Sequence, residues 1–349
     1  MYKVLMRGNE AVGEATVMAG CRFYAGYPIT PQNELTAYMA KRMPEVGGVF
    51  IQAESEIAAI SMIFGASGTG ERVMTSSSSP GISLKQEGIS YMAGCELPAV
   101  IINMSRGGPG LGNIGPSQSD YFQAVKGGGH GDYKLIVLAP ASVQEFFDLT
   151  VEAFDLADKY RMQVMILGDG MLGQMMEPLI LKKPEIKEYK KDWVLGNCKG
   201  RKPRAIHSLF LGKGALDKHN QSLQKKYALV KKELLKYKDM NSDSCDLLLV
   251  AFGSMGRLAK SAMNKARAEG LKVGLIRPIT LWPFPEKVIY EAAGKVKKIL
   301  TIEMNYGQMI EDVKLASAGR CEVDFLGRGG GEMLTEKEIL SRIKEIIIG

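Results

Sequence analysis

Two carboxylates, Glu54 and Glu56 in Gln52-Ala53-Glu54-Ser55-Glu56, follow a strand-like run and precede Ile57, Ala58 and Ala59. Acidic side chains in a first helical turn are favoured by the helix dipole; at the rim of a buried helix they can also be tuned acids or bases. Arg106, in Ser105-Arg106-Gly107, is either a surface cation or a bidentate fork for a carboxylate. In Tyr27-Pro28-Ile29-Thr30-Pro31, Thr30 fits a helix N-cap and Pro31 the first helical position. The Thr30 hydroxyl is also placed for an anionic substrate. Thr75 through Ser79 read as a flexible turn or as a set of hydroxyl donors. Gly110, Gly112 and Gly115 spell a G-x-G-x-x-G, but Pro109 interrupts it well beyond a strand end, so it is a weak dinucleotide fingerprint.

These residues need strands that end where helices begin. Apolar runs at Phe23–Tyr27, Val49–Ala53, Arg72–Ser76, Ala99–Met104, Leu135–Ala139 and Gln163–Leu167 alternate with helical patterns at Pro31–Arg42, Glu56–Phe64, Ile82–Met92 and Ser142–Lys159. That alternation implies a parallel sheet covered on both faces, with ligands at the carboxyl ends of its strands. Glu56 opens a helix so apolar that burial is expected. Gly168-Asp169-Gly170 begins like a thiamine-diphosphate metal motif, but only a lone Asn197 occupies the region of its paired Asn. It reads as the end of the first domain's last strand.

The same grammar recurs over residues 244–349: strand Leu247–Phe252, a Gly253-Ser254-Met255-Gly256 turn into helix Arg257–Ala268, then further alternating elements to Glu336–Ile347. The division is therefore 1–181, a connector at 182–243, and 244–349. The chain has 349 residues and a net charge of +7, yet the connector alone carries 17 basic and 7 acidic residues. The basicity is local, and no nucleic-acid motif accompanies it. A helix at Leu223–Tyr237 packs through Leu223, Tyr227, Val230, Leu234 and Tyr237; the lysines are a solvated face or a docking surface for an acidic partner. Five scattered cysteines and three histidines argue against a disulfide framework, a zinc site or an iron–sulfur cluster held by this chain. There is no secretory signal or membrane-span pattern, so a cytoplasmic location is expected.

Taken together, Gly8-Asn9-Glu10-Ala11, Gly26-Tyr27-Pro28-Ile29-Thr30-Pro31, Ser55-Glu56 with Gly65-Ala66, Ser105-Arg106-Gly107 and Glu303-Met304-Asn305-Tyr306-Gly307-Gln308 resemble the alpha subunit of 2-oxoacid:ferredoxin oxidoreductases. The resemblance covers most of the chain except the connector. It implies an α/β fold: a pyrimidine-type thiamine-diphosphate-binding domain, then a transketolase-C-terminal-like domain. It also implies oxidative decarboxylation of a 2-oxo acid to acyl-CoA and CO2, with electrons passed to ferredoxin. Glu56 would hydrogen-bond the pyrimidine ring of thiamine diphosphate, beside Tyr27, Pro28 and Ser78. Thr30 and Arg106 would receive the substrate carboxylate. No metal ligand is implied in this chain: a beta subunit would hold the diphosphate, Mg2+ and a [4Fe-4S] cluster. Gamma and ferredoxin-like delta subunits would complete a hetero-oligomer, a dimer of protomers, that uses coenzyme A as co-substrate. The compact form, without a gamma domain in front, looks most like branched-chain (2-oxoisovalerate) enzymes, then 2-oxoglutarate enzymes; a non-catalytic assembly paralogue is the remaining alternative.

Overall fold

The computed structural model describes residues 2–196 and 198–349; Asn197 lies outside the described residues. The first part of the chain runs β1 (Tyr2–Arg7), α1 (Gly8–Met18), β2 (Phe23–Gly26), α2 (Asn33–Glu45), β3 (Val49–Gln52), α3 (Glu56–Ser67), β4 (Val73–Ser77), α4 (Pro80–Gly94) and β5 (Ala99–Ser105). It continues through β6 (Ile136–Leu138), α5 (Val143–Tyr160), β7 (Gln163–Asp169), α6 (Gly170–Gln174) and β8 (Met176–Leu181). Helix α7 (Ala215–Glu233) and β9 (Tyr237–Met240) lead into β10 (Leu247–Val250), α8 (Gly253–Ala268), β11 (Val273–Pro278) and β12 (Thr280–Trp282). The chain ends with α9 (Glu286–Ala293), β13 (Lys298–Glu303), α10 (Met309–Ser317), β14 (Glu322–Gly327) and α11 (Glu336–Ile348).

A seven-stranded sheet has the order β12-β6-β7-β5-β4-β2-β3, and a five-stranded sheet the order β14-β13-β10-β11-β9. Every pairing within them is parallel except the two edges, β12 on β6 and β9 on β11. The parallel sheets that the alternation implies are present, each with one antiparallel strand added at an edge. The edge strands are exchanged: β9 leaves the lysine-rich segment to join the second sheet, and β12 returns from the second half to close the first. One apolar core accordingly runs from Val100 and Ile166 through Tyr227 and Val230 to Val250 and Ile276. β1 and β8 form a separate antiparallel ribbon beside α5.

Several local expectations shift. The lysine-rich helix begins at Ala215 and stops at Glu233; Leu223, Tyr227, Val230 and Leu234 are buried as the spacing requires, whereas Tyr237 opens β9 and is exposed. Gly253–Gly256 is the first turn of α8, with no separate turn ahead of it. β7 is not the last strand of its half, because β8 follows it. Asp169, the final residue of β7, accepts from the Met171 and Leu172 amides and caps α6. Its other oxygen accepts from the Ser254 hydroxyl at 2.7 Å, and burial pushes its carboxyl above the usual range. Gly168–Gly170 is thus a buried inter-sheet tie and more than a strand end.

Candidate functional site

The string 27–31 does not start a helix. Gln32 occupies the N-cap position of α2, so Thr30 is not its cap and Pro31 is not its first residue. The segment is a loop held from below. Asn9 donates to the Pro31 carbonyl at 2.9 Å, and Gln174 donates to the same oxygen at 3.1 Å. Gln32, fully buried, accepts at Oε1 from the Ser76 hydroxyl at 2.6 Å. Asn9 belongs to the Gly-Asn-Glu-Ala opening, whose physical task is to fix this loop. Tyr27 and Pro28 are exposed on top of it.

Arg106 follows β5 and is buried rather than a surface cation. Its guanidinium donates to the Thr30 carbonyl at 2.9 Å and to the Leu111 carbonyl at 3.1 Å, while Nε has no partner among the described residues. Thr30 and Arg106 are therefore brought together. The Thr30 hydroxyl accepts from Asn33 at 3.3 Å.

Thr75 to Ser79 are buried, which removes the flexible-turn reading. Thr75, Ser76 and Ser77 finish β4, and Ser79 precedes α4 with φ 23°. The Ser79 hydroxyl donates to Asp120 at 2.6 Å and accepts from the Arg106 amide at 3.0 Å. Asn103 also donates to Asp120, at 2.9 Å, and burial raises the Asp120 carboxyl above its usual range despite these donors. Asp120 lies in irregular chain between β5 and β6, where no periodicity singles it out. Nothing in the one-dimensional pattern marked it.

Glu56 is the first residue of α3, whose N-cap Ser55 accepts from the Ala58 amide at 3.2 Å. Glu56 is buried and Glu54 exposed, so the two carboxylates occupy different environments. α3 itself is only half covered: Ile57, Ser61 and Gly65 are exposed, contrary to the burial its composition suggests. The reason is an apolar face on α3 and α4 that this chain leaves open, with Ile57, Leu84 and Tyr91 about half exposed. A Cβ at Gly81 would sit 2.6 Å from Glu56 Oε1 and closer still to Ser77 Oγ, so only glycine lets the carboxylate lie over the start of α4.

The glycine-rich loop after Arg106 is not a strand-to-helix phosphate turn. Gly107 accepts from the Asn113 amide at 3.0 Å, and Asn113 donates through its side chain to the Gly330 carbonyl at 2.6 Å. A Cβ at Gly112 would collide with the Gly107 carbonyl. The loop closes onto the second half of the molecule. There Glu303, fully buried at the end of β13, accepts from the Met309 and Ile310 amides at 2.8 and 3.0 Å and fixes the turn 304–308. Gln118 completes the join, donating to the Phe252 carbonyl and accepting from the Met304 amide. Between these loops lies a cleft of about 880 Å3, walled by Ser79, Leu84, Pro109, Asp120, Phe122 and Asn305 among others. It sits where the strands of the large sheet end, as ligand sites of α/β sheets do.

The residues fit the pyrimidine half of thiamine diphosphate: a buried carboxylate as acceptor, a glycine cradle against it, and buried Ser77 and Ser78 hydroxyls that have no partner among the described residues. Among the described residues no three His, Cys, Asp or Glu side chains cluster for a metal ion.

Residues 14–239 match the thiamine-diphosphate-binding domain of pyruvate flavodoxin/ferredoxin oxidoreductases, and residues 245–339 match core domain II of pyruvate:ferredoxin oxidoreductase. The chain belongs to the 2-oxoacid:ferredoxin oxidoreductase family. The match runs through the lysine-rich segment as well. The chain is 50% identical to the ketoisovalerate oxidoreductase subunit VorB of Methanothermobacter marburgensis, covering 99% of this chain and 98% of that one. It is 38% identical to the 2-oxoglutarate synthase subunit KorA of the same organism, over 97% of each. A solved 2-oxoglutarate:ferredoxin oxidoreductase from Magnetococcus marinus superposes with a TM-score of 0.87 at 28% identity. That match covers 98% of this chain and 65% of the longer one. A split-gene transketolase, 13% identical with a TM-score of 0.60, shares the fold.

Proposed function

We propose that this chain is the alpha subunit of a complex that converts 2-oxoisovalerate and related branched-chain 2-oxo acids, with coenzyme A, to acyl-CoA and CO2, passing electrons to ferredoxin. The observation that carries the reading is the full-length, 50% match to a ketoisovalerate oxidoreductase subunit. The cleft beside the site has Leu84 and Phe122 on its walls, while Arg106, Thr30 and Glu56 are not among its lining residues. A 2-oxoglutarate enzyme, the second reading supported by the KorA match, must bind a distal carboxylate as well.

Thiamine diphosphate, when bound, supplies the carbon nucleophile and the electron sink for decarboxylation. Glu56 accepts a hydrogen bond from the pyrimidine ring and holds its proton, with Ser78, Tyr27 and Pro28 around the ring. Arg106 keeps donors beyond the two it spends on carbonyls, and with Thr30 it receives the substrate carboxylate. The open α3–α4 face is where a beta subunit carrying the diphosphate, Mg2+ and a [4Fe-4S] cluster covers the site. Gamma and delta subunits and ferredoxin complete the electron path, and the work is cytoplasmic; no described helix is long and apolar enough to cross a membrane.

The test is acyl-CoA formation by the complex purified with its natural partners, using several 2-oxo acids. 2-Oxoisovalerate should have the highest kcat/KM, and the isolated chain should turn over none. A preference for 2-oxoglutarate overturns the substrate assignment, and failure of every 2-oxo acid in an intact, cofactor-loaded complex leaves the assembly paralogue.

A further inference from the structure

Lys85 lies in the second turn of α4 and has no exposed surface. Lysine is among the residues least often buried, and a buried ammonium is costly unless paired. Nonetheless, no carboxylate oxygen lies within ion-pair distance of Lys85 among the described residues. Its Nζ donates to the Thr75 hydroxyl at 3.0 Å and to the Glu56 main-chain carbonyl at 3.4 Å. Both acceptors are neutral, and either protonation state of the amine has enough protons for both. Glu56 is the charged group whose field acts on it.

The geometry is a three-element tie. Thr75 stands on β4, Lys85 on α4 and Glu56 at the first residue of α3, which is the residue whose carboxylate must keep its direction. The neighbouring Gly81 leaves room for the same carboxylate, which a Cβ there would displace. An apolar side chain of equal length fills such a core position at lower desolvation cost, so the amine is not needed for packing.

We infer that Lys85 is a positioning residue for Glu56: through its amine, α4 and β4 clamp the first turn of α3 and set the direction of the Glu56 carboxylate. The inference rests on the role proposed for Glu56 above.

The test uses Lys85→Met in the assembled complex and in the full-length chain. The variant should fold and assemble. In the isolated chain, amide hydrogen exchange of residues 56–60 should speed up, with the rest of the domain unchanged. In the complex, thiamine diphosphate should bind about tenfold more weakly by calorimetry. Turnover should show a split, kcat falling about 30-fold or more while KM for the 2-oxo acid stays within about threefold. Unchanged exchange at 56–60 together with wild-type cofactor affinity overturns the inference. Should Lys85→Met fail to assemble, Thr75→Val removes one arm of the clamp and must show the same pattern at smaller amplitude; wild-type behaviour there overturns it equally. A wild-type complex that binds no thiamine diphosphate refutes the proposed function itself, which is a different result.

Discussion

Lysine serves opposite ends in two parts of this molecule. Along α5 and the lysine-rich segment the cations meet acids: Lys191 pairs with Asp158 at 2.9 Å, Lys236 with Glu152 at 2.7 Å and Lys238 with Glu145 at 3.0 Å. Burial acts to raise the Glu145 carboxyl, but Arg277 outweighs it and holds the group low. Beside the site, Lys85 is buried with only neutral hydrogen-bond acceptors among the described residues, and desolvation lowers its amine to about 7. Ion pairs at a wet surface contribute little each and can be exchanged. A desolvated amine without an ion-pair partner costs stability instead. Part of the connector's charge is thus spent on acids within the fold, whereas beside the site a lysine is buried with no ion-pair partner among the described residues.

The largest effect expected from breaking this contrast is at Glu56. Glu56→Gln should leave the complex assembled and slow decarboxylation by about two decades or more. Glu54→Gln, at an exposed carboxylate, should behave nearly as wild type. Exchange of the thiazolium C2 proton in the assembled complex separates the two: suppression by Glu54→Gln and not by Glu56→Gln would reverse their roles. Next is Arg106→Met, which removes a charged donor worth roughly 1.5–3 kcal/mol. KM for the 2-oxo acid should rise about 10- to 100-fold with thiamine diphosphate affinity little changed. Because Arg106 also ties Thr30 to Leu111, part of the loss should persist in Arg106→Lys. A collapse of cofactor affinity would give Arg106 a different task.

What could be read from the sequence follows from what is local. Helix α8 ends at Ala268, where its pattern places the end, and the stripe Leu223, Tyr227, Val230, Leu234 is buried as its spacing requires. Glu56, Thr30 and Arg106 stand out because each ends or follows a strand in the alternation. β1 and β8 escaped because their pairing spans nearly the whole first half and β8 contains Pro178, which demotes a strand. The exchange of β9 and β12 is a fact of register between distant segments. Lys85 and Asp120 were invisible for another reason: a single lysine in an amphipathic helix reads as solvated, and an aspartate in irregular chain reads as a turn. Only packing shows them buried.

Stability against pH sharpens the contrast at intermediate size. Lys85 has its folded value lowered to about 7, under an unfolded value of about 10.4. Glu56 on α3 is the charged group facing it, and β4 presents the uncharged Thr75. Between those two values the unfolded chain binds more protons than the folded one. Stability contributed at this residue therefore rises with pH, by up to about 1.4 kcal/mol per unit. Lys85→Met should melt above wild type at pH 7, and the gap should close as pH approaches 10. A gap independent of pH would mean that Lys85 is not desolvated in solution.

The smallest effect belongs to the lysines of α7, and here the structure divides a group that the sequence treats alike. Lys225 and Lys232 are exposed, whereas Lys226 donates to Glu96 at 2.7 Å and to the Arg161 carbonyl at 3.1 Å. Lys231 lies 3.7 Å from Glu286, both largely exposed. A variant neutralising all four would mix a fold contact with a surface field. Lys226→Gln alone should lower the thermal midpoint at low and high salt, because it leaves part-buried acceptors without their donor. The double variant Lys225→Gln/Lys232→Gln should leave the midpoint in place. If the exposed cations steer an acidic partner or electron carrier, the double variant should slow association less than about tenfold at low ionic strength and not at all at high. Stopped-flow association across a salt series reads this directly. Equal rates for the double variant and wild type at low salt would confine the α7 charge to the fold.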